Sequence, residues 1–428
     1  MKISPARTAA YDILFRIETE QAFSSPLLAK YESELSPSDR GLCHEITLGV
    51  LRSQIYLDRV IDTLTPGKRI DVEVRIALRI AIYQIGQLDR VPDHAAINES
   101  VNLVQRAKKT SAKGFVNAVL RRLVRQPVEL QYIDRLDRLS VETSHPRWLL
   151  EKWIDGFGTA NAEAFARSNN EAPAIAFRVI GEVDDSLVEL IRGSHQSRWV
   201  EGCYLTDRYS SKLLKLAEKK QIYLQDESSQ MVANAIRVND GGRILDVCAS
   251  PGGKVTLIAA RSLFSGVIAA GDLHWHRVAY LRSNCSQVVG EKVSVLQYNA
   301  ESGLPFAEEC IDSVLVDAPC SGTGTIRHNP ELRYRLRSRD IQELRSKQLS
   351  ILKNASKLVR PGGTLVYSTC SVELEENEEV CNSFLRGAKE FKKIRPNVDD
   401  HFVTGEGFAR TWPQRDGMDG FFIAAFQR

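Results

Sequence analysis

Two cysteines stand at the ends of apolar runs, each set among small polar residues. One lies in Asp317-Ala318-Pro319-Cys320-Ser321-Gly322-Thr323-Gly324 and the other in Tyr367-Ser368-Thr369-Cys370-Ser371. A lone cysteine is ordinarily a small buried hydrophobe. Core strands rarely stop at Cys-Ser-Gly-Thr-Gly or Ser-Thr-Cys-Ser, so packing does not account for these two. A cysteine kept for chemistry is kept for its thiolate. A third run, Ile244-Leu245-Asp246-Val247-Cys248-Ala249-Ser250-Pro251-Gly252-Gly253-Lys254, reads as a strand, a tight glycine turn and a helix start. Ligands of doubly wound sheets bind at such carboxyl ends of strands. Gly252 and Gly253 allow close backbone approach and positive φ. The turn is neither the G-x-G-x-x-G of a dinucleotide site nor a phosphate-binding P-loop. One strand later comes Asp272, placed where an acid commonly accepts hydrogen bonds from ribose hydroxyls.

These residues need a sheet to hold them. Arg243–Val247, Val267–Gly271, Val293–Gln297, Ser313–Val316 and Thr364–Ser368 read as strands, mostly continuous apolar runs. Between them Lys254–Leu263, His276–Val288 and Arg339–Leu358 read as helices. Strands apolar on both faces and separated by helices predict a mostly parallel, doubly covered sheet. The chain is therefore expected to be multidomain, with an α/β Rossmann-like domain over 223–428 that ends in a strand at Phe421–Phe426. From Met1 to about Gln126 the pattern is helical. Ser4-Pro5 gives an N-cap and a first-turn proline. Val74, Ala77, Leu78, Ala81, Ile82 and Ile85 form a stripe closed by Gly86 as C-cap. Phe115, Val116, Val119, Leu120 and Leu123 form another. An all-α bundle over 1–135 follows, and 136–222 reads as a small α+β connecting module. In that module His145-Pro146-Arg147-Trp148 opens a helix containing Trp153, and Ala174–Ile180 is a strand.

Hydrophobic content of 43% and charged content of 26% are those of a soluble globular chain. No apolar run approaches the ~20 residues of a membrane span, and the amino terminus reads as an amphipathic helix, not a signal peptide. A cytoplasmic, membrane-free enzyme is expected. The 8 cysteines form no Cys-x-x-Cys pair and no zinc-spaced cluster with histidine, so no metal is expected. A net charge of +3 does not argue for nucleic acid. Its distribution says more: Arg106, Lys108, Lys109, Lys113, Arg121, Arg122 and Arg125 have no acid among them. Such a cluster attracts a phosphate backbone or is a solvated helix face.

Asp-Ala-Pro-Cys-Ser-Gly-Thr-Gly, Tyr-Ser-Thr-Cys-Ser and Cys-Ala-Ser-Pro-Gly-Gly-Lys together resemble the motif set of the RNA (cytosine-5) methyltransferases of the RsmB/NOP family. Gln225-Asp226-Glu227-Ser228-Ser229-Gln230, Glu375-Glu376-Asn377-Glu378 and Asp419-Gly420-Phe421-Phe422 also match. The amino-terminal bundle resembles the NusB RNA-binding fold, most closely at Gly114-Phe115-Val116-Asn117-Ala118-Val119-Leu120-Arg121. NusB-like bundle plus methyltransferase is the architecture of one bacterial branch of that family.

The resemblance implies transfer of a methyl group from S-adenosyl-L-methionine to carbon 5 of a cytosine in 16S ribosomal RNA, at position 967 in rRNA numbering. Carbon 5 is a weak nucleophile until a thiolate adds to carbon 6. By resemblance that thiolate is Cys370. Asp317 would hydrogen-bond the base and stabilise its charge, and Cys320 would assist loss of the carbon-5 proton. Cys248, Ala249, Ser250, Pro251, Gly252, Gly253 and Lys254 would wrap the methionine end of the cofactor, with Asp272 on the ribose, Asn299 on the adenine, and Asp317 beside the cofactor too. Asn299 stands where most relatives carry Asp, Val255 for a usual Thr and Ser250 for a usual Ala. Arg121, Arg122 and Arg125 would meet RNA, as would Arg178, although Ile180 replaces the Asn of an Arg-x-Asn. Arg277 and Arg327 would contact RNA or the cofactor-loop backbone. His274 and His276 read as surface residues, and Glu373–Glu379 opens a helix. The chain is expected to act as a monomer. Two other readings are a cytosine-5 methyltransferase for another rRNA or tRNA site, and a catalytically dead RNA-binding assembly or antitermination factor.

Overall fold

In the computed structural model, which describes residues 3–207, 210–261 and 265–428, the first helix starts where Ser4 and Pro5 place it. The Ser4 hydroxyl accepts from the Arg7 amide, and the helix runs Pro5–Glu20. Ser36 and Pro37 start Pro37–Arg52 in the same way. With Ser24–Glu32, Gln54–Leu64, Val72–Gln87, Asp93–Arg106 and Lys113–Arg125 they bury one apolar core that includes Ile13, Ile46, Ile61, Leu78, Leu103 and Leu120. Gly86 is not the cap expected of it. Helix Val72–Gln87 continues past it, the Leu88 amide still bonds the Gln84 carbonyl, and Leu88 is the C-cap. Helix Lys113–Arg125 buries Val116, Val119 and Leu120 and exposes Arg121, Arg122 and Arg125.

The chain divides into two compact units, Met1–Ala172 with Ile326–Arg335, and Pro173–Thr325 with Leu336–Arg428. The stretch 136–222, expected as one module, is thus shared. Its helices Arg135–Thr143, Arg147–Phe157 and Thr159–Ser168 join the first unit, where Trp153 lies edge-on to Phe165 at 4.7 Å and Arg59 grips Asp137 at 2.7 and 3.1 Å. The segment Ile326–Arg335 completes that unit. Glu331 accepts from the Ser24 amide (2.8 Å) and hydroxyl (3.0 Å) at the start of helix Ser24–Glu32. Buried Arg333 donates to the Thr143 and Asn169 carbonyls and to Asn170 Oδ1.

The second unit opens with a small antiparallel sheet in the order β2-β3-β1-β4: β1 Ile175–Val179, β2 His195–Gln196, β3 Cys203–Thr206 and β4 Ile222–Leu224. The large sheet contains β5 Arg243–Asp246, β6 Val267–Asp272, β7 Val293–Gln297, β8 Ile311–Asp317, β9 Val359–Thr369, β10 Lys392–Ile394 and β12 Phe422–Gln427, with β11 Ala409–Arg410 paired to β12. Its order is β10-β12-β9-β8-β5-β6-β7. Strands β9 to β7 are parallel; β12 and β10 are antiparallel. Central strands buried on both faces explain the continuous apolar runs. Helices Gly253–Ala259, Trp275–Val289 and Ser338–Ser356 lie close to the expected ranges. The last two positions of the expected helix 254–263 fall outside the described residues. Among the described residues no helix is long and apolar enough to cross a membrane.

The chain moves from β5 outward to β6 and β7, then returns to β8 on the other side of β5. That reversal is a topological switch point, the place where open α/β sheets take ligands at strand carboxyl ends. The ends meeting there are Asp246 with its glycine turn and Asp317.

Candidate active site

The register of β8 on β9 places Asp317 opposite Ser368 and so brings both cysteine loops to one end of the sheet. Cys320 Sγ and Cys370 Sγ are 3.3 Å apart. The hydrogen bond to Cys370, followed by burial, pushes the Cys320 thiol well above the usual cysteine range. Asp317 is held at both oxygens: the Ser368 hydroxyl donates to Oδ1 and the Lys254 ammonium to Oδ2, each at 2.6 Å. Burial alone would lower the Lys254 pKa, but the charge of Asp317 and its hydrogen bond outweigh this and raise it. The Lys254 nitrogen also sits 5.2 Å from the Phe421 ring centre, within cation–π range.

A cavity of about 470 Å³ opens beside them, lined by Tyr223, Gln225, Asp246, Cys248–Pro251, Gly253, Lys254, Tyr280 and Asp317. This volume lies in the range of small-molecule sites. Gly252 has φ +108°, and a Cβ on Gly253 would come within 3.2 Å of Tyr223 and 3.3 Å of Gln225, which line the cavity. Gly252 thus takes a backbone conformation that side chains rarely adopt, and a side chain at Gly253 would press on the cavity wall. Asp246 is fully buried, and neither of its carboxyl oxygens has a hydrogen-bond partner. Burial, and then the charge of Asp317, push its pKa up to about 8. A buried acceptor pair without donors is costly, and in a cavity wall it suits a ligand carrying an ammonium group. The methionine end of S-adenosylmethionine meets that requirement.

The remaining expected residues are placed as follows. Asp272 ends β6, buried, with Leu273 N on Oδ1 (2.8 Å) and Arg277 on Oδ2 (3.3 Å). Arg277 also donates to the Ser250 carbonyl (3.1 Å), so of its two expected partners it meets the cofactor-loop backbone. Asn299 is exposed after β7, and its side chain accepts from the Glu301 amide (3.0 Å). Arg121, Arg122 and Arg125 face solvent, whereas Arg106 and Lys109 of the same cluster pair with Asp12 and Asp71. His274 and His276 are exposed and stack on one another at 5.6 Å. The run Glu373–Glu379 starts its helix late, at Glu378, because Glu373–Asn377 first turns behind Cys370.

Two arginines expected at RNA are buried instead. Arg178 is 4% exposed and spans from β1 to the glycine turn. It donates to Gln225 Oε1 (3.1 Å), Thr256 Oγ1 (2.8 Å) and the Gly253 carbonyl (3.4 Å), and lies over the Tyr223 ring. Burial pushes its pKa down to about 10. Strand β1 lies inside its sheet, between β3 and β4, and turns this side chain toward the helix that begins at Gly253. Arg327 is buried as well and belongs to the first compact unit.

Sequence reading missed Asp246, the Lys254–Asp317 pair and the contact of Gly324 with Gly420. An acid at the end of the apolar run Ile244-Leu245 was the available signal for Asp246. Gly420 N donates to Gly324 O (2.9 Å), and a Cβ on Gly324 would lie 1.8 Å from the Gly420 oxygen. The two glycines let the Cys320 loop and the Asp419-Gly420 turn touch backbone to backbone.

A family model described as 16S rRNA methyltransferase RsmB/F matches residues 233–427, and the NusB family model matches residues 4–125. A Bacillus subtilis protein named probable ribosomal RNA small subunit methyltransferase B is 33% identical over 100% of both chains. An Enterobacter protein named ribosomal RNA small subunit methyltransferase B is 30% identical over 99% of each. The solved structure of PH0851 covers 100% of both chains at 26% identity with a TM-score of 0.84. A methyltransferase homologue from Pyrococcus horikoshii covers 68% of this chain and 98% of its own at 25% identity, TM-score 0.57.

Proposed function

Since the chain belongs to the 16S rRNA methyltransferase RsmB/F family and is an S-adenosylmethionine-dependent RNA methyltransferase, we propose that it methylates carbon 5 of a cytosine in 16S ribosomal RNA through a covalent adduct of Cys370. The observation that carries this reading is the pair of sulfurs 3.3 Å apart beside an anchored aspartate at the mouth of the cofactor cavity. Cys248–Lys254 and Asp246 hold the methionine end of S-adenosylmethionine, with Asp272 on the ribose and Asn299 toward the adenine. When bound, that cofactor supplies an electrophilic methyl group.

Cys370 gives its thiol proton to water and its sulfur adds to carbon 6 of the base; the carbon 5–carbon 6 π electrons shift to carbon 5, making it nucleophilic. Asp317, fixed by Lys254 and Ser368, keeps a second lone pair on each oxygen. One accepts from the base's exocyclic amine, and one from the ring N–H that forms when ring nitrogen 3 takes a proton from water during the addition and returns it on release. After methylation the carbon-5 proton leaves, the electrons of that bond re-form the carbon 5–carbon 6 double bond, and the Cys370–carbon 6 bond breaks. Cys320 serves this release. It takes the carbon-5 proton as base or passes it through a water that it orients. The chemistry requires no metal, and one chain supplies every residue named. Residues 1–135, with Arg121, Arg122 and Arg125 exposed, bind RNA. The helices up to Ser168 extend the first unit, the second unit transfers the methyl group, and action on 16S rRNA implies a cytoplasmic enzyme.

The test is a pair of variants assayed with 16S rRNA and radiolabelled cofactor. Cys370→Ala should abolish methylation and form no adduct. Cys320→Ala should permit addition but block release, so that a gel-stable protein–RNA adduct accumulates. The opposite pattern would reverse the roles, and normal methylation by Cys370→Ala would end the covalent reading.

A further inference from the structure

Glu376, fully buried, is bonded to the residues next to both cysteines. Its Oε1 accepts from the Ser321 amide (2.8 Å) and from Gln348 Nε2 (2.9 Å). Its Oε2 accepts from the hydroxyls of Ser321 and Ser371. Ser321 and Ser371 are the residues that follow Cys320 and Cys370. Gln348 Nε2 also donates to the Pro319 carbonyl (2.9 Å), the residue before Cys320. One carboxyl group therefore fastens both cysteine loops, and Cys320 is held through the backbone on each side.

Four donors match the four acceptor sites of a carboxylate, and all four are neutral. Burying such a group without a cation is expensive, and an apolar residue of similar size would fill the space while gripping neither loop. The carboxyl is itself fixed. The Tyr367 hydroxyl donates to the Glu376 carbonyl (2.5 Å), the Thr369 hydroxyl to Asn377 Oδ1 (2.5 Å), and Asn377 Nδ2 to the Ser371 carbonyl (2.8 Å). Ser321 and Ser371 also meet each other, 3.0 Å apart, and Ser371 meets Thr323 at 3.2 Å. We infer that Glu376 is a positioning residue that sets the spacing of the two sulfurs, tying the Cys320 loop to the Cys370 loop through its two carboxyl oxygens. The inference rests on the reading that both cysteines react, and one of the two measurements below does not depend on that reading.

Glu376→Asp keeps the carboxyl and draws it back by one carbon–carbon bond, about 1.5 Å, so it cannot reach both loops. Glu376→Gln keeps the length. Its oxygen still accepts the two N–H donors, and the two serine hydroxyls can turn to accept from its NH₂. The first measurement is the rate at which the thiol oxidant diamide joins Cys320 to Cys370, read by peptide mapping. The two thiols give up two electrons and two protons, and the diazene becomes the hydrazine. The second is kcat and KM for methylation. Glu376→Asp should slow the disulfide severalfold and lower kcat by about a hundredfold, the order expected for a 1 Å misplacement of a reacting group. KM and Kd for S-adenosylmethionine should stay within about twofold, whereas general loosening of the domain would move them too. Glu376→Gln should stay near native in both measurements. A native disulfide rate in Glu376→Asp, or equal damage in Glu376→Gln, overturns the inference. Should Glu376→Asp not fold, Gln348→Met releases the Pro319 side of the same clamp, and native values of both rates there overturn it. A slower disulfide with unchanged kcat would uphold the spacing role and refute the catalytic reading of the pair.

Discussion

Replacing Asp246 by Asn tests the cofactor end of the site, because the native carboxyl is caught between two costs. Burial, then the charge of Asp317, raises its pKa from 3.8 to about 8, with Lys254 pulling the other way. At pH 7 about one carboxyl in ten is ionised in the empty site. If the cofactor's ammonium docks on this carboxylate, binding at pH 7 must first drive off a proton. Affinity should then rise about tenfold per pH unit between pH 5 and 7 and level near pH 8. Calorimetry at pH 6.5 in two buffers of different ionisation enthalpy should detect release of nearly one proton per cofactor bound. Asp246→Asn should show no such release, a flat pH profile and weaker binding at pH 8. The same carboxyl governs the ligand-free protein with a definite sign. Its folded pKa lies above its unfolded value, so its unfavourable ionisation is absent below about pH 4. Stability falls as pH rises toward 8, by several kcal/mol in all. The melting temperature of the native protein should therefore drop over that window more steeply than that of Asp246→Asn. Cofactor affinity that is flat from pH 6 to 8 in the native protein, or a slope retained in the variant, refutes the assignment of the ammonium to Asp246.

Two further outcomes follow from the same site and from the bundle. Asp272→Ala removes a charged acceptor worth about 1.5–3 kcal/mol per bond and should weaken S-adenosylmethionine binding at least about tenfold. Asn299→Asp should change it by less than about tenfold, since the exposed Asn299 is bonded to its own turn; equal damage from the two would place the adenine elsewhere. Changing Arg121, Arg122 and Arg125 together to Ala should weaken RNA binding and flatten its dependence on salt by up to about 0.9 in log–log slope per lost contact, leaving cofactor affinity unmoved. RNA affinity unchanged at several salt concentrations would return these arginines to a solvated helix face.

What the sequence made legible follows from how local each cause is. The large sheet could be read because a strand buried on both faces has to be apolar at every position, whatever lies far away. The glycine turn could be read because Gly252 and Gly253 satisfy a backbone requirement at their own positions. Cys320 and Cys370 stood out because small polar residues surround them where a core strand would otherwise continue. Arg178 shows the limit. Its strand was placed to within a residue at either end, yet the direction of its side chain depends on β3 and β4, which pair on either side, and on a helix 75 residues along the chain. An arginine in a strand carries no mark saying whether its partner is a phosphate or the carbonyl of Gly253. The segment Ile326–Arg335 fails for the same reason. Glu331, Arg333 and Tyr334 are polar residues in a stretch without periodicity, and it is Ser24, Asn169, Asn170 and Leu51 that make them structural.

Glu376 lies between these cases, since the Glu-Glu-Asn-Glu run was visible and was read as the acidic start of a helix. Acids at a helix amino end gain from the dipole, and that explanation suits Glu378 and Glu379, which do begin the helix and pair there with Arg410 and Arg345. It does not suit Glu376, which precedes the helix and is buried, with its donors on residues 321, 348 and 371. A local rule thus accounted for the whole run and concealed the member that is held by both cysteine loops. The chemistry of the pair depends on that member. Sulfurs 3.3 Å apart can divide addition and release between them only while their loops keep that distance; Ala318 and Val372 are buried and Cys370 packs against the core, and hydrogen bonds fix the rest. Direct bonds from one loop to the other, Gly324 N to the Cys370 carbonyl (3.0 Å) and Val372 N to the Thr323 hydroxyl (3.1 Å), share that task with the Glu376 carboxyl, which grips the residue after each cysteine and fails to reach both if it is one carbon shorter.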